Sequence, residues 1–464
     1  MTDDFTIQGE WFFPKDENFK ADGILSYTAN DYITLVINTK STEITTEDSF
    51  ENSDIILGTS SNGKMITLCN CSMISKNIAQ SKYLIRFVLI NVHIETLEEL
   101  KFNLISAEIF NLDEWIGISG FKKNKFNSKT NTVSVEYELP HPIEFEIDEQ
   151  TRGIFNYNTG PRELSLHQKT VTIQQKVNFQ AFSKQKRGII ELLDYVVKFQ
   201  SFLTLAFYRN TYPLFYKLRS DAHQLQLENG TSIPIIIDLF VSHNNIIKHE
   251  IPLFGIQMLF DYNRIKNDFQ TIITHWYTKY KLLEPAFDLV IEQFYKGNQF
   301  STNTFLNLAQ AAETFHARIH SRTRIPQSLY KEISSQILEI VPLEYREQFR
   351  EQLNFGNNLN LHTRLEELVS KYSNDHLTKI IGDIPKFIID VKVSRNYYTH
   401  YSKDGNKRAL KNRDLFLLSE KLKLLLVCSF LMEIGINKDD ISEFTRNVYW
   451  LNFNHLPLHN TSLI

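Results

Sequence analysis

The heptad Ser394-Arg395-Asn396-Tyr397-Tyr398-Thr399-His400 gathers a guanidinium, a carboxamide and an imidazole on one short stretch of chain. An imidazole with an unperturbed pKa of ~6.5 can take or give a proton near neutral pH, and a planar guanidinium can clamp a phosphate through paired N–H donors. Those groups suffice in principle to cleave a phosphodiester without a metal. Spacing alone is weak ground, however. With 17 Arg and 14 His in 464 residues, an Arg followed by a His after four to six residues arises by chance roughly once or twice, and three such pairs occur. Arg86 and His93 fall in a β-branched run from Tyr83 to Ile94 that reads as a strand. Arg162 and His167 follow the turn signal Thr159-Gly160-Pro161. Only Arg395 and His400 sit in a helical pattern, and only there is the Arg followed by Asn.

Pro385 suits the first turn of that helix. From it, Phe387, Val391, Ser394, Tyr398 and Tyr401 recur every three or four residues and predict the buried face. Asn396 and His400 are i and i+4 and share the opposite face, with Arg395 on the flank. Asp404-Gly405 predicts the helix end, which places His400 near the last turn, where the macrodipole favours imidazolium. From spacing alone, the better reading of Arg395 and His400 is a pair of solvated surface groups beside a Tyr-rich core face.

Neighbouring residues could support the same chemistry. Over 401–413, Lys403, Lys407, Arg408, Lys411 and Arg413 stand against Asp404, five positive and one negative, a local +4. Such a patch can track a polyanion, or it can be a solvated loop and helix end. Tyr397 is the stacking candidate, with Tyr398 and Tyr401 assigned to the core. Glu313 lies on the flank of its helix with Ala309, His316 and His320, and could orient Arg395 if the two helices face each other; an ordinary surface Glu is the alternative. Cys69-Asn-Cys71 lacks the second ligand pair of a zinc site and reads as two strand residues. No Gly-rich phosphate loop, His-Glu-x-x-His helix or nucleophile elbow occurs, so neither metal nor cofactor is expected.

The elements that must position these groups change along the chain. Residues 1–185 alternate short β-type runs with turns: Ile24–Tyr27, Tyr32–Ile37, Thr132–Leu139, Ile143–Ile147 and Thr170–Val177. Val133, Val135, Tyr137 and Leu139 alternate with polar neighbours, the period of a half-buried strand. Residues 186–284 read as a mixed connector, with a helix from about 188 to 208, β pieces at 212–218 and 233–240, and a helix from about 265. Residues 285–464 are continuously helical, with one apolar stripe at Phe305, Leu308, Ala312, Phe315 and Ile319 and another at Leu415, Leu418, Leu422, Leu425 and Phe430. The expected class is α+β, an antiparallel β-rich domain followed by an all-α bundle.

Composition sets outer bounds. Lys+Arg 50 against Asp+Glu 54 leaves a net charge of −4, so a nucleic-acid site must be a local patch. Three cysteines cannot build a disulfide framework, no basic-then-apolar leader opens the sequence, and the apolar run from Leu424 to Met432 is far short of the ~20 residues of a spanning helix. A cytoplasmic protein with no membrane role is expected.

The stretch from Arg395 to His400 resembles the R-polar-(x)n-H motif of the HEPN superfamily of helical-bundle ribonucleases. The chain as a whole resembles the anti-phage ApeA family. Gly9-Glu-Trp11-Phe-Phe-Pro14, Gly23–Tyr27, Leu112–Trp115, Phe202–Ala206, Phe305–His316, Arg364–Leu368 and Val391–Tyr401 follow in an order that spans nearly the full length. The resemblance implies a metal-independent endoribonuclease of abortive-infection defence, its site completed by two copies of the motif across a homodimer or higher homo-oligomer. It assigns proton transfer to His400, phosphate clamping to Arg395 and orientation to Asn396, on an RNA substrate for which tRNA is one candidate. The β domain would then sense a phage component or restrain the nuclease. Trp11, Phe12, Phe13 and Trp115 could form its recognition surface, or its core. The alternative is a HEPN bundle that dimerises or holds a ligand without cleaving.

Overall fold

The chain divides into two compact units, Met1–Gln270 and Thr271–Ile464. The computed structural model describes residues 4–14, 16–28, 31–38, 54–77, 79–160, 163–165, 169–227, 230–242, 252–296, 300–320, 322–403 and 405–452. Arg162, His167 and Asp404 lie outside the described residues.

The first unit begins with strands β1 (Phe5–Phe13), β2 (Asp16–Tyr27), β3 (Ile33–Asn38), β4 (Ile55–Ser60), β5 (Met65–Lys76) and β6 (Gln80–Ile90). They pair in the order β6-β3-β2-β1-β4-β5, and β5 returns to pair with β6, closing a six-stranded antiparallel barrel. Inward positions fill it with Leu25, Ile33, Leu35, Ile56, Leu68, Tyr83, Ile85 and Trp11. Trp11 dictates two glycines. A Cβ at Gly58 would lie 2.3 Å from the indole Cε3 and one at Gly23 2.8 Å from Cδ1, so only residues without one let the ring lie between β2 and β4.

After β7 (Lys101–Ile109) and the short helix α1 (Leu112–Ile116), the hairpin β8 (Phe121–Asn127) and β9 (Thr132–Tyr137) stands by itself. Strands β10 (Ile143–Asp148), β11 (Thr151–Thr159), β12 (Glu163–Ser165), β13 (Thr170–Thr172) and β14 (Gln175–Gly188) lead to helix α2 (Ile189–Phe207). Next come β15 (Pro213–Arg219), β16 (Gln224–Gln226), β17 (Ser232–Pro234), β18 (Ile237–Val241) and helix α3 (Tyr262–Ile265). Beyond the barrel the sheet continues from β6 through β18, β15, β7, β14 and β11 to β10. Helix α2 packs on β14 and β7, and Phe179 stacks on Phe199 with ring centroids 4.3 Å apart. Trp115 packs edge-on against Phe155, Phe199 and Phe202.

Some expectations change here and others hold. Strands β15 and β18 come from the stretch read as a connector, yet they bridge β7 to β6 inside the main sheet. The run Thr170–Val177 is broken in two, β13 pairing with β12 and β14 with β11 and β7. Val133 and Val135 alternate as predicted but are 67% and 51% exposed, because among the described residues β9 pairs only with β8 and no layer covers that hairpin. Trp11, Phe13 and Trp115 are buried core residues, whereas Phe12 is half-buried. Cys69 and Cys71 are buried strand residues of β5.

The second unit is helical: α4 (Phe269–Tyr295), α5 (Thr302–Ile319), α6 (Gln327–Ile340), α7 (Arg346–Gly356), α8 (Leu361–Tyr372), α9 (Asp375–Ile381), α10 (Ile384–His400), α11 (Asn412–Glu433) and α12 (Lys438–Asn452). Helix α4 runs through Pro285, so it crosses the position from which the continuously helical half was expected to begin. The predicted stripes meet in the core: Phe305, Leu308, Ala312 and Phe315 of α5 and Leu415, Leu418, Leu422, Leu425 and Phe430 of α11 are all buried. Phe430 packs edge-on against Phe287 and Phe315, with centroids 4.4 and 5.2 Å away. At one end Glu433 accepts hydrogen bonds from Tyr372 (2.7 Å), Lys371 (3.1 Å) and Lys279 (3.1 Å). Burial raises its proton affinity, but these donors outweigh that and hold the carboxyl below the usual range.

Candidate active site

Helix α10 is fixed at both ends. Asp383 caps it by accepting from Lys386 N–H at 2.9 Å, and Pro385 occupies the first turn, where no N–H is needed. At the other end Tyr401 takes a left-handed conformation, φ 49°, so His400 is the last helical residue. Phe387, Ile388, Val391 and Ser394 form the buried face, and the helix packs on α5 and α8.

Arg395 is half-buried and held from a neighbouring helix. Its Nη2 donates to Glu313 Oε2 at 3.2 Å, and its Nη1 to Asn396 Oδ1 at 3.4 Å. Glu313 is anchored in turn: Arg364 of α8 donates through Nη1 to the Glu313 carbonyl (2.9 Å) and through Nε to that of Leu359 (2.9 Å). The Arg395 guanidinium is thus held by a residue of α5 whose backbone α8 grips in turn, which leaves fewer rotamers to freeze when it meets an anion. Asn396 and His400 lie exposed on the outer face, and no hydrogen bond among the described residues fixes the imidazole.

The basic segment after α10 is tied to the same helix. Ser394, fully buried, accepts from Leu410 N–H at 3.1 Å, and Tyr398 O–H donates to the Leu410 carbonyl at 2.9 Å. Gly405 approaches so closely that a Cβ there would lie 2.7 Å from Ser402 Oγ and 3.3 Å from Tyr397 Cβ. Lys403, Lys407, Arg408, Lys411 and Arg413 are exposed around this anchored turn, with Lys411 donating to Asn406.

Two family models match the chain, ApeA N-terminal domain 1 over residues 6–276 and Apea-like HEPN over residues 306–440. The chain belongs to the ApeA-like HEPN family. No curated protein and no solved structure matches it. The HEPN match contains Glu313, Arg364, Arg395, Asn396, His400 and the basic turn.

One placement departs from expectation. Tyr401 was assigned to the buried face of α10, but it is 66% exposed, because the chain leaves the helix at that residue and turns its ring outward. Tyr397, Tyr398 and Tyr401 pack edge to face, Tyr397 4.8 Å from Tyr398 and 5.5 Å from Tyr401. The exposed stacking surface therefore includes Tyr401 beside half-buried Tyr397. The Arg86 and His93 pair lies in and just after β6, where His93 Nε2 contacts the Gly58 carbonyl at 2.8 Å, so it sits on a barrel strand and not on a helix. Arg364, Ser394 and Tyr398 were not singled out for positioning roles, and only the repeat of Ser394 and Tyr398 four residues apart hinted that one strap of chain could be gripped by both.

His316 makes a separate polar centre of the HEPN domain. It is buried, its Nε2 lies 2.8 Å from Glu367 Oε2, and Glu367 Oε1 accepts from Arg322 at 2.7 Å. Burial lowers the proton affinity of His316, and the His316 contact lowers that of Glu367, so a neutral imidazole donating to a carboxylate fits both directions. An open cleft of about 440 Å³ lies beside it, lined by His320, Arg322, Glu366, Glu367, Ser370 and Lys371.

Proposed function

We propose that this ApeA-like HEPN protein is a metal-independent endoribonuclease effector of anti-phage, abortive-infection defence. In this reading the ribose 2′-OH attacks its own phosphorus while the P–O5′ bond breaks, leaving a 2′,3′-cyclic phosphate and a 5′-OH. One imidazole takes the 2′-OH proton and another protonates the departing 5′-oxygen, a division of labour that suits two copies of His400 in a homodimer. Arg395 neutralises charge on the non-bridging oxygens, and Asn396 orients phosphate or imidazole. Lys403, Lys407, Arg408 and Lys411 follow the RNA backbone, and Tyr397 with Tyr401 offers faces for bases. The β unit senses a phage component or restrains the nuclease until one arrives.

The observation that carries the reading is the pairing of a braced Arg395 with an unbraced, exposed His400 five residues on, at the end of one helix. Purified protein incubated with cellular RNA in EDTA should release fragments with cyclic-phosphate ends. His400→Ala should abolish release, and because the residue is exposed its thermal midpoint should match wild type. Cleavage that requires a divalent metal, or that survives both Arg395→Ala and His400→Ala, would overturn the mechanism.

A further inference from the structure

Between α5 and α8 the HEPN domain carries a helical hairpin, α6 and α7, that contains no buried residue. Its helices pack mainly on each other: Tyr330 O–H donates to the Leu353 carbonyl at 2.7 Å, and Arg346 closes the turn by donating to the carbonyls of Val341 (2.9 Å) and Glu339 (3.1 Å). Leu329, Ile333, Ile337 and Ile340 recur along one face of α6 and are 46%, 37%, 37% and 85% exposed. Leu343, Tyr345, Phe349 and Phe355 add exposures of 80%, 49%, 41% and 73%. Single exposed apolar residues need no explanation, but eight on one 30-residue excursion do.

The root of the hairpin is rigid. Asn357, buried, pairs with Ile325 through both backbone groups (3.0 Å each) and donates to Gln327 Oε1 at 2.9 Å. The apolar face is therefore held out in a defined direction.

We propose that this hairpin is the docking element for a second copy of the chain, two hairpins meeting face to face as a four-helix bundle about a twofold axis. Three observations favour a second copy. A two-helix unit with one open apolar side is self-complementary under a twofold, which needs the same patch on both partners. The eight side chains expose apolar surface on the order of the ~800 Å² that each partner contributes to a specific interface. The charges are mixed and ordered as basic-acidic neighbours, Lys331-Glu332, Arg346-Glu347 and Arg350-Glu351, so antiparallel copies can match opposite signs, whereas a polyanion would meet a net −2 once Glu339 and Glu344 are counted. The contact itself does not depend on RNA cleavage; its consequence for activity rests on the two-copy site proposed above.

The test is the mass of the full chain in solution by light scattering at micromolar concentrations, for wild type, Ile333→Glu/Ile340→Glu and His400→Ala. Wild type and His400→Ala should be dimers and the double variant a monomer, with its circular dichroism and thermal midpoint retained because both positions are exposed. Amide exchange in residues 327–356 should slow as wild-type concentration rises. A monomeric wild type, or a dimer that persists in the double variant with unchanged exchange across the hairpin, overturns the proposal. Dimers that form as described but cleave no RNA would leave this interface standing and remove the nuclease reading instead.

Discussion

At the scale of single residues, the site depends on how Arg395 is held. Its ion pair with Glu313 joins side chains that are 31% and 22% exposed, so it contributes about 1 kcal/mol to stability, and its larger effect is to restrict where the guanidinium points. Glu313→Gln keeps an acceptor but removes the charge. RNA cleavage should fall about tenfold, which corresponds to ~1.4 kcal/mol of transition-state stabilisation, while the thermal midpoint moves by no more than a few degrees. Single-turnover rates of the two proteins check this, and equal rates would show that Glu313 does not position Arg395. The pairing was legible only in part. Helical spacing put Glu313 and Arg395 each on a flank, but whether α5 faces α10 is a packing outcome fixed by residues such as Phe305 and Tyr398, whose rings sit 6.4 Å apart. Arg364, which grips a backbone carbonyl of α5, left no pattern to read, since any Arg can reach a carbonyl.

At the scale of elements, period-2 and period-3.6 patterns located strands such as β3, β6, β9, β10 and β15 and the helices α2, α5, α10 and α11, and failed where a long-range partner or an unusual dihedral decided the outcome. Closing the barrel through β5 and β6, and inserting β15 between β7 and β18, are choices made by strands whose neighbours lie far away in sequence. The end of α10 failed for a local reason: Asp404-Gly405 advertises a stop, but the chain turns left-handed at Tyr401, a conformation that Gly or Asn usually supplies. That early stop gives the clamp on Leu410 its importance, because Ser394 and Tyr398 then decide where the basic turn runs relative to His400. Tyr398→Phe removes one of the two bonds at a cost of about 1 kcal/mol. Amide exchange across 402–411 should speed up and KM for RNA should rise severalfold with little change in kcat, as expected if the turn binds RNA without touching the reacting atoms. An unchanged KM with faster exchange would separate the basic turn from substrate binding.

At the scale of the whole molecule, one chain supplies one Arg395, one Asn396 and one His400, whereas the proposed displacement needs a base and an acid on opposite sides of a single phosphate. The net charge of −4 makes the bulk surface no guide to RNA, so the proposed reaction assigns capture of its substrate to the local +4 of residues 401–413, once from each copy. If two motifs surround one phosphate, a dimer with one inactive copy is inactive. Wild type mixed with an equal amount of His400→Ala, allowed to exchange partners, should then retain about a quarter of the activity of the same total of wild type, the share of dimers in which both copies are intact. Independent sites would instead retain about a half. Carrying Ile333→Glu/Ile340→Glu on the inactive chain should restore the value to about a half, since a copy that cannot dock cannot poison its partner. Mixing curves over a range of ratios distinguish the quadratic from the linear dependence, and a linear curve in a protein shown to be dimeric would place a complete site within each copy.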